Sequence, residues 1–170
     1  MTKALFVIDV QNCFFKGDWP IPNADEFLAK VAAKVESTRA AGDVSIIWVQ
    51  NDGEEPWDDA PGRFGWQLVL EPQDGERVVR KSVPSVFEQN TGLATELNAA
   101  GITSIEMIGL QSDMCVRASA LAAKDAGFKV TVTRALHATY DGGYPGSEDP
   151  RSASQISDEI QQELDEALAS

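Results

Sequence analysis

Unbroken apolar runs alternate along the chain with stretches whose apolar residues recur every four positions. Ala4-Leu5-Phe6-Val7-Ile8 carries no polar residue, as expected of a strand buried on both faces. Residues 24–41 place Phe27, Val31 and Val35 four apart with Leu28 alongside, which predicts an amphipathic helix. Asn23 or Asp25 can cap its start, and Gly42 ends it. Val44 to Gln50 reads as a second strand and residues 76–80 as a short third. Residues 92–100 form a helix with Leu93 and Leu97 on one face. Ser104 to Ile108 is an apolar strand that breaks at Gly109. A small-residue helix then begins near Cys115 and runs to Gly127, and Lys129 to Thr133 is a further strand. Residues 152–168 space Ile156, Ile160, Leu164 and Leu168 four apart as a closing helix. Strands alternating with amphipathic helices predict a single α/β domain over residues 1–170, with a largely parallel sheet flanked by helices.

Two polar side chains interrupt this pattern where a parallel sheet binds its ligands. Cys115 falls at the first turn of a helix, just beyond the C-terminal end of a strand, the edge at which open α/β sheets take ligands. Unpaired N–H groups at a helix start also favour a thiolate. Cysteine is equally at home as a small buried hydrophobe, so position alone leaves a structural thiol open. Asp9 closes the buried strand in Ile8-Asp9-Val10, where a carboxylate is costly without a partner. The segment 51–75 is a long irregular stretch with Trp57, Trp66, Pro56, Pro61 and Pro72. Its aromatic content suggests an ordered cover. Together with Phe14, Trp19 and Tyr140, those tryptophans are expected to line a cleft, though some can instead pack at a subunit interface.

Composition narrows the partners. The net charge of -13, from 14 basic and 27 acidic residues, argues against a nucleic-acid or membrane-surface ligand. Neither a signal peptide nor a membrane-spanning segment is evident, and two cysteines make no disulfide framework, so a reducing cytoplasm is expected. No Gly-x-Gly-x-x-Gly or Walker A pattern follows a strand, which leaves a dinucleotide-binding or flavodoxin-like domain without support.

Asp9 in Leu-Phe-Val-Ile-Asp-Val-Gln-Asn, Lys81 in Val-Val-Arg-Lys-Ser-Val-Pro-Ser-Val-Phe and Cys115 in Gly-Leu-Gln-Ser-Asp-Met-Cys-Val-Arg-Ala-Ser stand in that order, each at or just after a strand. This set resembles the isochorismatase-like cysteine hydrolases, and the resemblance covers nearly the whole chain. It implies a Rossmann-like three-layer α/β/α fold and a catalytic triad of Asp9, Lys81 and Cys115. It also implies a cis peptide at Leu110–Gln111 that aims the Gln111 N–H at an oxyanion beside the Cys115 N–H. The expected chemistry is cleavage of a C–N bond of a small molecule through a thioester. Lys81 would favour the thiolate, and Asp9 would shuttle protons. Gln11, Phe14, Trp19, Trp57 and Tyr140 are the expected substrate-binding residues.

Metal-binding nicotinamidases of this superfamily use an aspartate and histidines after the second strand. Here that stretch is Asn51-Asp52-Gly53-Glu54-Glu55-Pro56, and His137 is the only histidine in the chain, so no metal and no cofactor is expected. The resemblance is greatest to short, metal-free amidohydrolases, the streptothricin-hydrolase-like group included, and implies a homodimer or homotetramer. Three alternatives stay open: isochorismatase-type hydrolysis of another bond, a small-molecule binding protein with an inherited triad, and a Cys115–His137 hydrolase. Cys13 reads as a structural thiol.

Overall fold

The computed structural model describes residues 2–17 and 19–169. Five parallel strands form one sheet in the order β3-β2-β1-β4-β5. They are β1 (Thr2–Ile8), β2 (Val44–Asn51), β3 (Arg77–Lys81), β4 (Ile102–Leu110) and β5 (Lys129–Ala138). Helix α1 (Ala24–Ala41) links β1 to β2, and α2 (Val86–Gln89) and α3 (Leu93–Ala99) link β3 to β4. Helix α4 (Arg117–Asp125) links β4 to β5, and α5 (Ala153–Leu168) closes the chain.

The two-residue alternation of each strand sorts its side chains into two apolar layers. Phe6, Ile8, Ile47, Val49, Ile105 and Met107 face the layer that also holds Leu93, Leu97, Ala120 and Leu164 from α3, α4 and α5. Leu5, Val7, Ile46, Trp48, Ile108 and Leu110 face Phe27, Val31 and Val35 of α1. The helices on both faces complete the three-layer α/β/α arrangement expected from the sequence, and β1 and β4 are neighbours. The strand order reverses between them, and a parallel sheet opens a ligand crevice at the carboxyl ends of such a pair.

Three local departures from the sequence reading bear on that crevice. β4 does not break at Gly109 but continues to Leu110. A π-helical turn, Ser112–Val116, follows it, so the α-helix starts at Arg117 rather than near Cys115. β5 extends five residues past Thr133, to Ala138. The ladder between β4 and β5 pairs Met107 with Val132 but Gly109 with His137, so β5 bulges by three residues there.

Gly109 is required by geometry. Its φ is +121°, and a Cβ there would lie 2.0 Å from the Ile8 carbonyl oxygen on the adjacent strand. Both the left-handed backbone and the clash oppose any side chain. Gly109→Ala is expected to cost about 2–5 kcal/mol, from strain plus overpacking at a site with no room to yield. Thermal unfolding of that variant should show a melting temperature lower by about 5–15 °C; an unchanged value would mean that β1 and β4 do not approach this closely.

Candidate active site

Three strand ends deliver three polar side chains to one point. Asp9 follows β1 with φ at +52°, a left-handed conformation that aspartate tolerates better than most residues. Its backbone N–H still donates to the Val49 carbonyl at 2.9 Å, so the turn begins while the strand remains paired. Lys81 is the last residue of β3, and Cys115 lies in the π-helical turn after β4. Lys81 is fully buried, an uncommon place for a lysine unless its charge is partnered. Its ammonium donates to Asp9 Oδ2 at 2.8 Å, to Cys115 Sγ at 3.2 Å and to Asn51 Oδ1 at 3.2 Å. Three donors therefore meet three acceptors.

Asn51, which the sequence reading did not single out, is the fourth member of this cluster. Its amide donates onward to Asp59 Oδ2 at 3.2 Å, so Asn51 is held while it orients Lys81. Gly53 makes room for that carboxylate, since a Cβ there would stand 2.0 Å from Asp59 Oδ1.

Burial dominates the electrostatics. It raises the Asp9 carboxyl above its ordinary value, against the opposing pull of Lys81. Burial also pushes the Cys115 thiol up to about 12; the Asp9 charge adds to that rise and Lys81 offsets part of it. Desolvation works against the Lys81 charge, but Asp9 and Cys115 outweigh it and hold the ammonium above its usual range. Lys81 lowers the thiol pKa, and burial outweighs it. Asp9 Oδ1 is buried without a hydrogen-bond partner among the described residues, which leaves one carboxylate oxygen able to accept a proton.

A small chamber of about 270 Å³ contains Asp9 and Cys115, with Asn51, Phe14, Gln111 and Met114 in its wall. It adjoins a wider cleft of about 730 Å³, and Phe14, Asp59 and Gln111 border both. Trp19, Trp57 and Tyr140 line the wider cleft, and the two tryptophans are 61% and 66% exposed at its mouth. The Tyr140 hydroxyl donates to the Trp19 carbonyl at 2.5 Å and fixes that part of the rim. Leu110–Gln111 is a cis peptide.

Two expected cleft residues lie elsewhere. The Gln11 amide is consumed by backbone, donating to the Asn51 and Trp66 carbonyls at 3.0 and 2.9 Å while its oxygen accepts from Asn51 N–H at 2.7 Å. It ties the end of β2 to the cover loop. Trp66 donates to Asp52 Oδ1 at 2.8 Å and stacks beneath Arg80, 5.0 Å from the ring centre, so it packs outside the cleft. Asp52 is thereby engaged by Trp66 and Arg80. No group of three metal-binding side chains gathers among the described residues. Cys13 does border the wider cleft, where burial and the nearby Asp59 and Asp9 raise its thiol far above the usual range. His137 commits its ring nitrogens to Ser112 and Gln161, not to Cys115, which removes the Cys–His pairing.

Fold and cluster together define a class: an α/β protein with an acid, an amine and a thiol converging at the switch point of a parallel sheet. Within that class the chain belongs to the isochorismatase family, and residues 3–145 match the Isochorismatase domain. A streptothricin hydrolase of Streptomyces noursei is 40% identical over 141 residues, covering 82% of this chain and 50% of the relative. The chain thus spans about half the length of that relative. A ureidoacrylate amidohydrolase of Methylobacterium radiotolerans is 26% identical over 156 residues, with 69% of this chain and 60% of the relative covered. The crystal structure of an isochorismatase from Pseudomonas putida KT2440 superposes with a TM-score of 0.86 at 27% identity, covering 96% of this chain and 84% of that one. No helix among the described residues is long and apolar enough to cross a membrane.

Proposed function

We propose that the chain is a cysteine hydrolase that cleaves the C–N bond of a small amide, lactam or ureide, with Asp9, Lys81 and Cys115 as its triad. One observation carries the reading: a fully buried Lys81 bonded to both Asp9 and Cys115, which line a chamber beside the aromatic cleft. The similarity to a streptothricin hydrolase and a ureidoacrylate amidohydrolase supports it.

The proton cycle closes on these side chains. Asp9 accepts the Cys115 proton as sulfur attacks the carbonyl carbon, and Lys81 steadies the negative charge of whichever group holds it. Backbone N–H groups of Gln111 and Cys115 are the donors assigned to the developing oxyanion. Asp9 then protonates the leaving nitrogen, the C–N bond breaks and a thioester remains. Water gives a proton to Asp9 and attacks the thioester; acid departs and the thiol is restored. The reacting carbonyl occupies the small chamber, and the rest of the substrate extends into the wider cleft.

Asp9 and Cys115 share one proton in the active state, so the pH profile tests the proposal. Activity should fall as pH drops through the raised Asp9 pKa, above the ordinary 3.8, because the carboxylate becomes protonated. On the alkaline side the second proton leaves only near about 12. A screen of amides, lactams and ureides for amine or ammonia release supplies the substrate. Its kcat/KM should then be flat from the end of that acid fall up to about pH 10. A rate climbing tenfold per pH unit across that range would mean that a preformed thiolate, not the Asp9–thiol pair, does the chemistry.

A further inference from the structure

His137 is a buried residue that the proposed chemistry does not use. The bulge in β5 lifts it out of the ladder's earlier register and sets it opposite Gly109. Its Nδ1 lies 2.8 Å from Ser112 Oγ, and its Nε2 lies 3.0 Å from Gln161 Oε1 on α5. The protons of this network can be assigned by counting. Gln161 Nε2 donates both its protons, to the Val132 carbonyl and to Asp165 Oδ1, so Gln161 Oε1 must accept. His137 therefore carries its proton on Nε2, and Nδ1 accepts the Ser112 hydroxyl. Ser157 Oγ, 2.9 Å from Ser112 Oγ, then donates to it. Burial keeps the ring's pKa below its ordinary value, and Arg134 acts in the same direction. The Gln161 bond and the charges of Asp158 and Asp165 oppose that shift. The neutral ring that this pattern requires is thus the favoured one.

Ser112 is fully buried, directly follows Gln111 and opens the π-helical turn that carries Cys115. The next residue is tied to the segment just past β5, since Thr139 donates to Asp113 Oδ1 at 2.6 Å. We propose that His137 is a positioning residue: through its bond to Ser112 it fixes the turn that presents Gln111 and Cys115 to the substrate. The inference rests on Cys115 being the nucleophile, as proposed above. It also gives the β5 bulge a purpose, since without the extra residues His137 would not reach this register.

Two side chains imitate opposite halves of the imidazole. Asparagine places its oxygen near Nδ1 and can still accept from Ser112; glutamine places its amide near Nε2 and can still donate to Gln161. The test compares His137→Asn, His137→Gln and Ser112→Ala by kcat and KM on the screened substrate, and by the rate of Cys115 alkylation with iodoacetamide. His137→Gln and Ser112→Ala should each lose about 10–100-fold in kcat with little change in KM, the cost of misaligned reacting groups. Alkylation of Cys115 should change in the same two variants. Their double variant should be no worse than either alone, because both cut one bond. His137→Asn should keep most of the activity. If His137→Gln does not fold, Ser112→Ala still reads the same bond with the ring left in place. Wild-type kcat in folded His137→Gln or Ser112→Ala, or an asparagine variant as impaired as the glutamine one, overturns the inference alone. A wild-type protein that neither turns over an amide nor alkylates at Cys115 overturns the hydrolase reading and this inference with it.

Discussion

Lys81→Ala is expected to lower the melting temperature by about 6–20 °C and to remove turnover. The thermal part follows from burial. Breaking a buried ion pair by deleting one partner typically costs about 3–5 kcal/mol, because the other charge stays in a low-dielectric site. Asp9 would then lose its ammonium partner at 2.8 Å while staying 1% exposed. It can escape that cost by taking up a proton. Burial already raises its folded-state pKa, and losing Lys81 raises it further. A carboxyl whose pKa is higher folded than unfolded favours the folded state at low pH and loses that advantage as pH rises through the folded value. The deficit against wild type should therefore be larger at about pH 8 than at about pH 5. Thermal unfolding at both values checks the sign; equal deficits would mean that Asp9 does not depend on Lys81 for its charge. In activity, the same variant removes the cation that steadies both Asp9 and the attacking sulfur.

Cys115→Ser should reduce turnover by at least about 10³-fold while leaving the substrate dissociation constant nearly unchanged. The hydroxyl fills almost the same space, so the chamber wall formed by Phe14, Gln111 and Met114 is undisturbed. Oxygen is a far weaker nucleophile than sulfur when its proton must leave within a buried cluster, and Asp9 is set to take a thiol proton, not an alcohol's. Binding measured by calorimetry with turnover lost would separate chemistry from recognition. Retained turnover would return Cys115 to the role of a small buried side chain.

Much of the scaffold is legible in the sequence because burial on both faces leaves residues 4–8 of β1 and 46–49 of β2 without polar residues, and because Phe27, Val31 and Val35 repeat at helical spacing. The end of β5 is not, since a three-residue bulge breaks the alternation and mixes Arg134 and His137 into a strand. The start of α4 is hidden too, because a π-helical turn differs from an α-helical one only in which carbonyl each N–H meets. Asp9, Lys81 and Cys115 stand out as polar residues at or just after strand ends. Asn51 shares that position but sits beside an equally polar Asp52, and spacing alone does not say which of the two turns toward Lys81. That Gln11 and Trp66 lie outside the cleft lining is hidden for a related reason. Their partners are a backbone carbonyl 55 residues from Gln11 and a carboxylate 14 residues from Trp66. The resting state of Cys115 depends on desolvation, which no local motif displays.

The most direct test of the hydrolase account is the chemical state of Cys115 during turnover. The wild-type protein is mixed with a substrate from the screen, quenched in acid during the first turnovers and examined by intact mass and peptide mapping. The account predicts an acyl group on the peptide containing Cys115. An amide substrate would add its mass less the departing amine, and a lactam would add its whole mass. Neutral hydroxylamine should remove the group, and Cys115→Ser should not acquire it. Steady turnover with no acyl group on Cys115, together with full activity in Cys115→Ser, would contradict the account.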